Sequence, residues 1–178
     1  MKPFSEADIK AALFSIPSHK SPGPVGYNSG FFKATWDIVG TDITKAILGF
    51  FEHRNPLKEW RNTRITLIPK CANPANAADY RLIACCNTLY KCISKMLCNR
   101  LRSILPILVH DNQTAFIEGR YITHNVMICQ HLIRLYKRKN ISPRCLLKID
   151  LREAYDSIPW DFIGKLLPKL KFPLKFCD

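Results

Sequence analysis

A chain of 178 residues that is 47% hydrophobic and 23% charged has the size and balance of one globular domain with a real core. Its apolar runs fall short of the roughly 18 residues that a membrane span needs, so we expect no membrane partner. The net charge is +13, and residues 61–148 alone hold 15 basic and 3 acidic side chains. Such a concentrated positive region favours a nucleic-acid backbone as partner over a basic surface that serves only solubility.

The eight cysteines form no Cys-x-x-Cys pair, and the histidines lack the spacing of zinc ligands. The first residues have no features of a secretory signal. These patterns predict that most of the cysteines are small buried hydrophobic residues in a reducing compartment, the nucleus or the cytoplasm.

The N-terminal third of the sequence predicts helices around one loop. Ser5 and Asp8 match the capping pattern of a helix start. Residues 20–26, Lys-Ser-Pro-Gly-Pro-Val-Gly, predict a turn-rich loop because proline and glycine interrupt helices and central strands. Helical apolar spacing over 31–39 and 43–53 predicts two further helices of the core.

A β-hairpin is predicted next. Residues 64–70 are rich in β-branched side chains, and residues 71–79 are a loop rich in Ala, Asn and Pro. Residues 80–84 can then run back as the second strand. The two strands would bring Lys70 and Arg81 to the loop end of the hairpin.

Two more helices and a turn follow. One apolar stripe predicts a helix over 87–105, which Pro106 would end. A second helix is predicted over 125–139. Between them, Gly119 permits a turn with positive φ.

Near the C-terminus, the residues 145–149 form an apolar run that is broken only by Lys148. This run predicts a short buried strand that ends at Asp150, with Tyr155 five residues further on. An ordinary core strand followed by a helix-capping aspartate has the same local pattern. Pro159 suits the first turn of a last helix.

Several of these segments carry a resemblance to one family. Residues 148–157, Lys-Ile-Asp-Leu-Arg-Glu-Ala-Tyr-Asp-Ser, resemble the first catalytic motif of reverse transcriptases, in the form found in LINE-type (non-LTR) retrotransposons. Residues 20–26 are similar to the family's Lys-Ser-Pro-Gly-Pro-Asp-Gly loop, with Val25 in place of the aspartate. The predicted hairpin and residues 85–101 and 113–120 also resemble family segments in the family order.

The resemblance implies an α+β fold. Reverse-transcriptase-like fingers, made of helices plus a β-hairpin, would occupy residues 1–144. Residues 145–178 would begin the palm with its first strand and the helix that follows it. The palm would be incomplete, because the family's second motif is an aromatic-x-Asp-Asp hairpin and this sequence has no adjacent pair of acidic residues.

The resemblance also implies roles for individual residues. Asp150 would be the catalytic carboxylate and would bind Mg²⁺ (Mn²⁺ is possible), with the backbone of Leu151 as a second ligand, in the two-metal nucleotidyl transfer of the complete enzyme. The other implied contacts are to the incoming dNTP (Lys70, Arg81, Glu153, Ala154 and Tyr155) and to the RNA template and DNA primer (Gln113 and Arg120).

Three functional classes remain open at this point. The chain could be a fragment of an RNA-directed DNA polymerase, a non-catalytic basic module that binds RNA or DNA, or a non-functional retroelement remnant. Loss of a single preorganised electrostatic group costs roughly 10²–10³ in rate. The absence of most metal ligands therefore predicts that this polypeptide is inactive alone. The sequence gives no signal for the oligomeric state.

Overall fold

The computed structural model describes most of the chain, namely residues 2–53, 58–134, 136, 145–150 and 157–177. In these residues helices are combined with one two-stranded antiparallel sheet, which confirms the α+β class. The chain divides into two compact units, which we call unit 1 (Met1–Arg100) and unit 2 (Leu101–Asp178).

Unit 1 begins with a helix whose N-terminus is capped as predicted. The backbone N–H of Ser5 donates to Asp8 Oδ2 at 2.8 Å, and the backbone N–H of Asp8 donates back to Ser5 Oγ at 3.3 Å. The helices of this part of the chain are α1 Glu6–Ser15, α2 Ser29–Ala34, α3 Trp36–His53, α4 Lys58–Arg61 and α5 Thr88–Arg102. The break predicted between residues 39 and 43 is wrong, because α3 is continuous there.

The hydrophobic core lies between α1, α3, α4 and α5 of unit 1. Ile9, Leu13 and Ile47 are completely buried in it. Its buried members are Ile9, Ala12, Leu13, Ile16, Trp36, Ile43, Ile47, Trp60, Cys92, Ile93 and Met96.

The predicted hairpin is confirmed. Strand β1 spans Thr63–Pro69 and pairs antiparallel with β2, Tyr80–Cys86. Every residue of β1 is exposed to solvent. Because side chains alternate along a strand and opposite residues share a face, the hairpin has one face that carries Arg64, Ile68 and Arg81 and another that is mainly apolar.

The predicted turn-rich loop of residues 20–26 packs against the end of β2. Gly23 has a φ of +77°, and a Cβ there would lie 2.6 Å from the carbonyl oxygen of Cys86. Only glycine fits both the left-handed conformation and this approach of two backbones. The ammonium of Lys91 in α5 donates to the carbonyl of Ser21 in the same loop.

Asn87 joins three segments at the start of α5. Its side chain is 3% exposed and accepts a hydrogen bond from the backbone N–H of Val25 at 3.2 Å. Its Nδ2 donates to the carbonyls of Glu59 at 2.8 Å and Asn62 at 3.4 Å. A buried side-chain amide with these partners fixes the loop, α4 and the hairpin relative to one another.

The remaining helices are α6 Leu105–Leu108, α7 Ile122–Arg134, α8 Trp160–Lys169 and α9 Leu174–Cys177. Pro106 does not end the long helix as predicted, because α5 has already ended at Arg102 and Pro106 lies in the first turn of α6. Pro159 is the N-cap residue of α8 rather than part of its first turn. The predicted helix over 125–139 begins three residues earlier, and residues 137–139 lie outside the described residues.

The palm strand predicted at 145–149 is not formed. Residues 145–150 have no regular secondary structure, and each of them is exposed. A strand exists only through hydrogen bonds to a neighbouring strand. Within the described chain β1 and β2 pair with each other and no further strand is present. The helix predicted after the first catalytic motif is confirmed as α8.

The cysteines depart from their predicted burial. The seven in the described residues are free thiols, and of these only Cys92 is buried. Cys71, Cys98, Cys129 and Cys145 are exposed because they lie in a loop, on outer helix faces and in the segment before Asp150. No described helix combines the length and apolar character that crossing a bilayer requires.

Candidate nucleotide and nucleic-acid site

The structure brings Lys70 and Arg81 together at the loop end of the hairpin. Arg81 is paired with Ile68, and the backbone N–H of Lys70 donates to the carbonyl of Asp79 at 2.7 Å, which extends the pairing beyond β1. Residues two apart on a strand share a face, so positions 68, 70, 79 and 81 lie on the same side. Both cations are exposed.

The loop between the strands is closed by Asp79. Its Oδ2 accepts hydrogen bonds from the backbone N–H groups of Ala75 and Asn76, both at 2.9 Å, and a 3₁₀ turn spans Ala77–Asp79. These two hydrogen bonds, with a smaller contribution from the charge of Lys70, lower the pKa of the Asp79 carboxyl below its ordinary value. The hairpin tip is therefore an ordered turn that holds Lys70 beside Arg81.

The ammonium group of Lys70 also contributes to this turn. Its Nζ donates to the carbonyl of Ala78 at 2.7 Å. An ammonium has three hydrogens, so this bond leaves two that can meet phosphate oxygens. The guanidinium of Arg81 offers a planar fork that suits the same oxygens.

Arg120 has a different environment from the one that the sequence predicted. Both terminal nitrogens of its guanidinium donate to oxygens of the protein, and the side chain is only 16% exposed. Nη1 donates to the carbonyls of His110 (2.7 Å) and Gln113 (2.8 Å), and Nη2 donates to the carbonyls of Pro106 and Val109 (both 2.9 Å) and to Asp111 Oδ1 (3.2 Å).

This set of bonds makes Arg120 the centre of the segment 106–120. Gly119, with a φ of +78°, makes the turn predicted for it immediately before the arginine. Both terminal nitrogens of Arg120 already donate within the protein, so a contact to nucleic acid would have to share or replace these bonds. The predicted nucleic-acid contact of Arg120 stays a prediction. No signal in the sequence could have revealed this role, because four of the five acceptors are main-chain carbonyls.

Gln113 lies beside Arg120, through the bond from the guanidinium to its carbonyl. Its exposed side chain donates from Nε2 to the carbonyl of Ala115 at 3.3 Å. Asn125 in α7 ties the same segment down by donating to the carbonyl of Asn112 and to Thr114 Oγ1. Gln113 thus has an ordered backbone and an accessible amide, which is compatible with contact to a nucleic-acid strand.

Asp150 is exposed at the end of the segment 145–150, which belongs to unit 2. The residues predicted to act with it, Leu151, Glu153, Ala154 and Tyr155, lie outside the described residues. In the described ranges no three His, Cys, Asp or Glu side chains are grouped to hold a metal ion. An exposed carboxylate such as that of Asp150 can serve Mg²⁺ as one ligand of several, because this ion keeps water and substrate phosphates among its oxygen ligands.

A thiol that the sequence did not single out lies at the root of the hairpin. Cys85 Sγ is 3.8 Å from Thr66 Oγ1, and hydrogen bonds from Ser21 and Thr66 lower the pKa of the Cys85 thiol. The loop of residues 20–26 supplies one of these bonds. These bonds make the thiolate easier to form than at an ordinary cysteine, at the point where loop and hairpin meet.

Comparison with known protein families identifies the family of the chain. The model of the family "Reverse transcriptase (RNA-dependent DNA polymerase)" matches residues 68–177, a stretch that begins in β1 and includes Lys70, Arg81 and Asp150. The match covers more than half of the chain. The chain therefore belongs to the reverse transcriptase family, and the resemblance predicted from its motifs is confirmed.

Two proteins to which the chain is similar are named as transposon proteins. It is 26% identical over 174 residues to the "Transposon TX1 uncharacterized 149 kDa protein" of Xenopus laevis, which covers 98% of the chain and 13% of that relative. It is also 26% identical over 185 residues to the "Probable RNA-directed DNA polymerase from transposon BS" of Drosophila melanogaster, which covers 99% of the chain and 20% of that relative. The chain thus spans a fifth or less of the relatives it matches.

Proposed function

We propose that this chain is a fragment of the RNA-directed DNA polymerase of a non-LTR retrotransposon. Residues 1–144 would supply the fingers, and residues 145–178 would supply the first carboxylate of the palm. The observation that carries the proposal is the family match from β1 to α9, which contains both hairpin cations and Asp150 in one stretch. The reaction is two-metal nucleotidyl transfer from a dNTP to a DNA primer on an RNA template.

The hairpin binds the triphosphate of the incoming dNTP. Lys70 supplies a point charge, and Arg81 supplies two parallel N–H donors from the same face of the sheet. The turn that Asp79 closes keeps the two cations at one end of that face. Because the whole of β1 is exposed, this face is open to a ligand.

Asp150 would bind one of the divalent ions, Mg²⁺ or Mn²⁺, and the family resemblance alone implies the carbonyl of Leu151 as a second ligand. The bound ions supply activation of the primer 3′-hydroxyl and neutralisation of charge on the triphosphate. The roles of Glu153, Ala154 and Tyr155 around the nucleotide rest on the family resemblance alone. Gln113 contacts the nucleic acid. Arg120 contributes to this contact chiefly by holding the backbone of Gln113 in place.

The nucleus or the cytoplasm is the proposed location. The free thiols of the seven described cysteines suit a reducing compartment. The basic charge of residues 61–148 suits a compartment that contains RNA.

Primer extension tests the catalytic part of the proposal. The chain alone, on an RNA template with a DNA primer and dNTPs, is expected to incorporate no nucleotide in Mg²⁺ or Mn²⁺. In the protein encoded by a complete reading frame, Asp150→Asn should lower incorporation by at least about 10²–10³-fold. Asp161→Asn, an exposed aspartate in the first turn of α8, is the matched control and should retain activity. Equal activity of the two variants would contradict the role of Asp150.

The hairpin is tested in the same assay. Lys70→Ala and Arg81→Ala should raise the KM for dNTP, because each removes a cation from the triphosphate. Arg64→Ala is the control, since Arg64 lies on the same face but pairs with Cys85 near the far end of the ladder. A KM raised equally by all three changes would mean that the hairpin attracts nucleotides only through its overall charge.

A non-catalytic module that binds RNA or DNA is the second candidate, and the surplus of 12 positive charges in residues 61–148 favours it. A titration of single-stranded RNA at several salt concentrations tests it. Binding should weaken linearly in log–log form as salt rises. No binding at low salt would exclude this candidate and leave a non-functional retroelement remnant as the alternative.

A further inference from the structure

A half-open cavity of about 420 Å³ lies in unit 1 at the root of the hairpin. It is lined by helices α3, α4 and α5 and by the end of the hairpin that lies away from the connecting loop. The side chains that matter for its chemistry are Phe50, Trp60, Arg61, Thr63, Tyr90 and Ile93.

Aromatic rings form the walls of the cavity. Trp60 is only 9% exposed and belongs to the core, so its ring is held in place. Phe50 packs against the same core, whereas Tyr90 is 43% exposed and presents its ring to solvent. A flat aromatic ligand that enters would therefore meet the packed rings of Trp60 and Phe50, and Tyr90 offers an accessible ring on which it can stack.

A cation lies at the cavity, and acidic side chains are rare along this part of the chain. Arg61 is exposed and follows Trp60 directly in α4. The stretch that contains the lining residues, 50–93, holds 7 basic and 3 acidic residues, with Glu59 of α4 among the acidic ones. The surplus of positive charge favours a ligand with a negative charge.

The cavity is separate from the hairpin tip. Thr63, which lines it, pairs with Cys86 at one end of the ladder, whereas Pro69 pairs with Tyr80 at the other end. Six steps along a strand correspond to roughly 20 Å. A ligand in the cavity is therefore not the dNTP whose triphosphate Lys70 and Arg81 are proposed to bind.

We propose that this cavity receives an unstacked base of single-stranded RNA, with Arg61 against the phosphate of that nucleotide. The inference rests on the proposed function for its partner, and it adds a second contact point far from the reacting nucleotide. A base stacks on aromatic side chains whatever its identity, and a guanidinium pairs with phosphate oxygens. A volume of about 420 Å³ lies within the range of ordinary small-ligand pockets, so a nucleotide can enter.

The test measures the affinity of the full chain for a labelled 12-nucleotide oligouridine by fluorescence anisotropy. Tyr90→Ala should weaken binding about 5- to 100-fold, which is the effect of removing one stacking side chain, and Tyr90→Phe should keep the wild-type affinity. Arg61→Gln should lower the slope of log K against log salt by about 0.7. Tyr121→Ala, an exposed tyrosine of unit 2, is the matched control and should bind as the wild type does.

Three other ligands separate a base in the cavity from simple charge attraction. An abasic oligonucleotide of equal length should bind the wild type more weakly than oligouridine, and this difference should vanish in Tyr90→Ala. Double-stranded RNA should bind both proteins equally, because its bases are stacked inside the helix. Uridine monophosphate should compete only at far higher concentration than the oligonucleotide, because it lacks the neighbouring phosphates.

Several outcomes would overturn the inference. If Tyr90→Ala binds oligouridine as tightly as the wild type does, and the abasic oligonucleotide binds as tightly as oligouridine, the cavity does not bind RNA. The proposed function would be unaffected by that result. Equal competition by the mononucleotide makes the cavity a site for free nucleotides and overturns the inference. RNA binding that is absent at low salt refutes the inference and the non-catalytic module, whereas primer extension decides the polymerase proposal. If Tyr90→Ala fails to fold by circular dichroism, the abasic oligonucleotide and Arg61→Gln decide the question.

Discussion

The two units bury apolar side chains to very different extents. In α1 of unit 1, Ile9 and Leu13 are completely buried, whereas in α7 of unit 2 Ile128 and Ile133 are 58% and 55% exposed. Both helices carry apolar residues at helical spacing. The difference teaches that such spacing predicts a helix reliably, but that burial depends on whether another element packs on the apolar face.

The two units also differ in what orders their backbones. The described part of unit 1 relies on a core that contains eleven buried hydrophobic residues. In the described part of unit 2, one hydrophobic residue, Ile117, is buried. The segment 106–120 is ordered mainly by the hydrogen bonds of Arg120 and Asn125. Mutations of apolar side chains should therefore be costly in unit 1, and mutations of polar side chains should matter more in unit 2.

The largest expected effect comes from the core of unit 1. Leu13→Ala should lower the free energy of unfolding by about 2–5 kcal/mol, because it removes a completely buried side chain and leaves a cavity. Ile128→Ala, the matched change in α7, should cost at most about 0.5 kcal/mol. Urea denaturation followed by circular dichroism measures both. An equal cost for the two would mean that the apolar face of α7 is covered in solution, and the contrast between the units would fail.

The second effect tests the contact between the loop of residues 20–26 and β2. Gly23→Ala should cost about 2–5 kcal/mol, since it combines a left-handed backbone with a Cβ 2.6 Å from the carbonyl oxygen of Cys86. Gly26→Ala should cost only about 1–2 kcal/mol, because Gly26 has a φ of +87° but nothing within 4 Å of an added Cβ. Urea midpoints compare the two variants. Similar values for both would show that the loop moves away from β2 without a penalty.

The third effect is local to unit 2. Arg120→Ala should reduce the stability of the segment 106–120 by about 1–3 kcal/mol, because it leaves the partly buried carbonyls of Pro106 and Val109 without this donor. Hydrogen exchange of peptides from this segment measures the loss. Arg102→Ala, which removes an exposed pair with Glu118 at 3.8 Å, should change exchange by less than about 1 kcal/mol. If exchange in the segment is unchanged in Arg120→Ala, the guanidinium does not organise it.

The features that the sequence predicted correctly depend on short stretches of chain. The capping box of Ser5 and Asp8 and the positive φ of Gly119 are properties of a few neighbouring residues. The hairpin pairs residues only 11 to 23 positions apart, and its alternating pattern is visible without any knowledge of the core. The family motifs added the positions of Lys70 and Arg81, which the register of the hairpin places on one face.

The features that were missed depend on distant partners. The strand expected at 145–149 is not formed because a strand needs a neighbour that its own residues cannot supply. Neither the carbonyls around Arg120 nor the aromatic rings of the cavity could be foreseen, because several elements of the chain contribute them.

The smallest effect concerns the hairpin tip, where unit 1 resembles unit 2 in being ordered by polar contacts on an exposed surface. The pKa of Asp79 is lowered in the folded chain by hydrogen bonds from Asn76 and Ala75. A lowered folded pKa means that the stabilisation is present above the unfolded value, about 3.9, and is lost as the pH falls through the folded pKa. The amide chemical shifts of Ala75 and Asn76 should therefore titrate below pH 3.9, with the turn opening at the acidic end.

Asp79→Asn is the matched control for this titration. It keeps an oxygen acceptor but cannot ionise in this range, so the pH dependence of the two amide shifts should disappear. A titration that persists in Asp79→Asn would assign the change to another group and would separate Asp79 from the order of the tip. Because the same turn holds Lys70 beside Arg81, its opening should also weaken triphosphate binding in Asp79→Ala, which removes the acceptor. Dissociation constants for a dNTP at neutral pH would measure that loss and connect the polar turn to the proposed function.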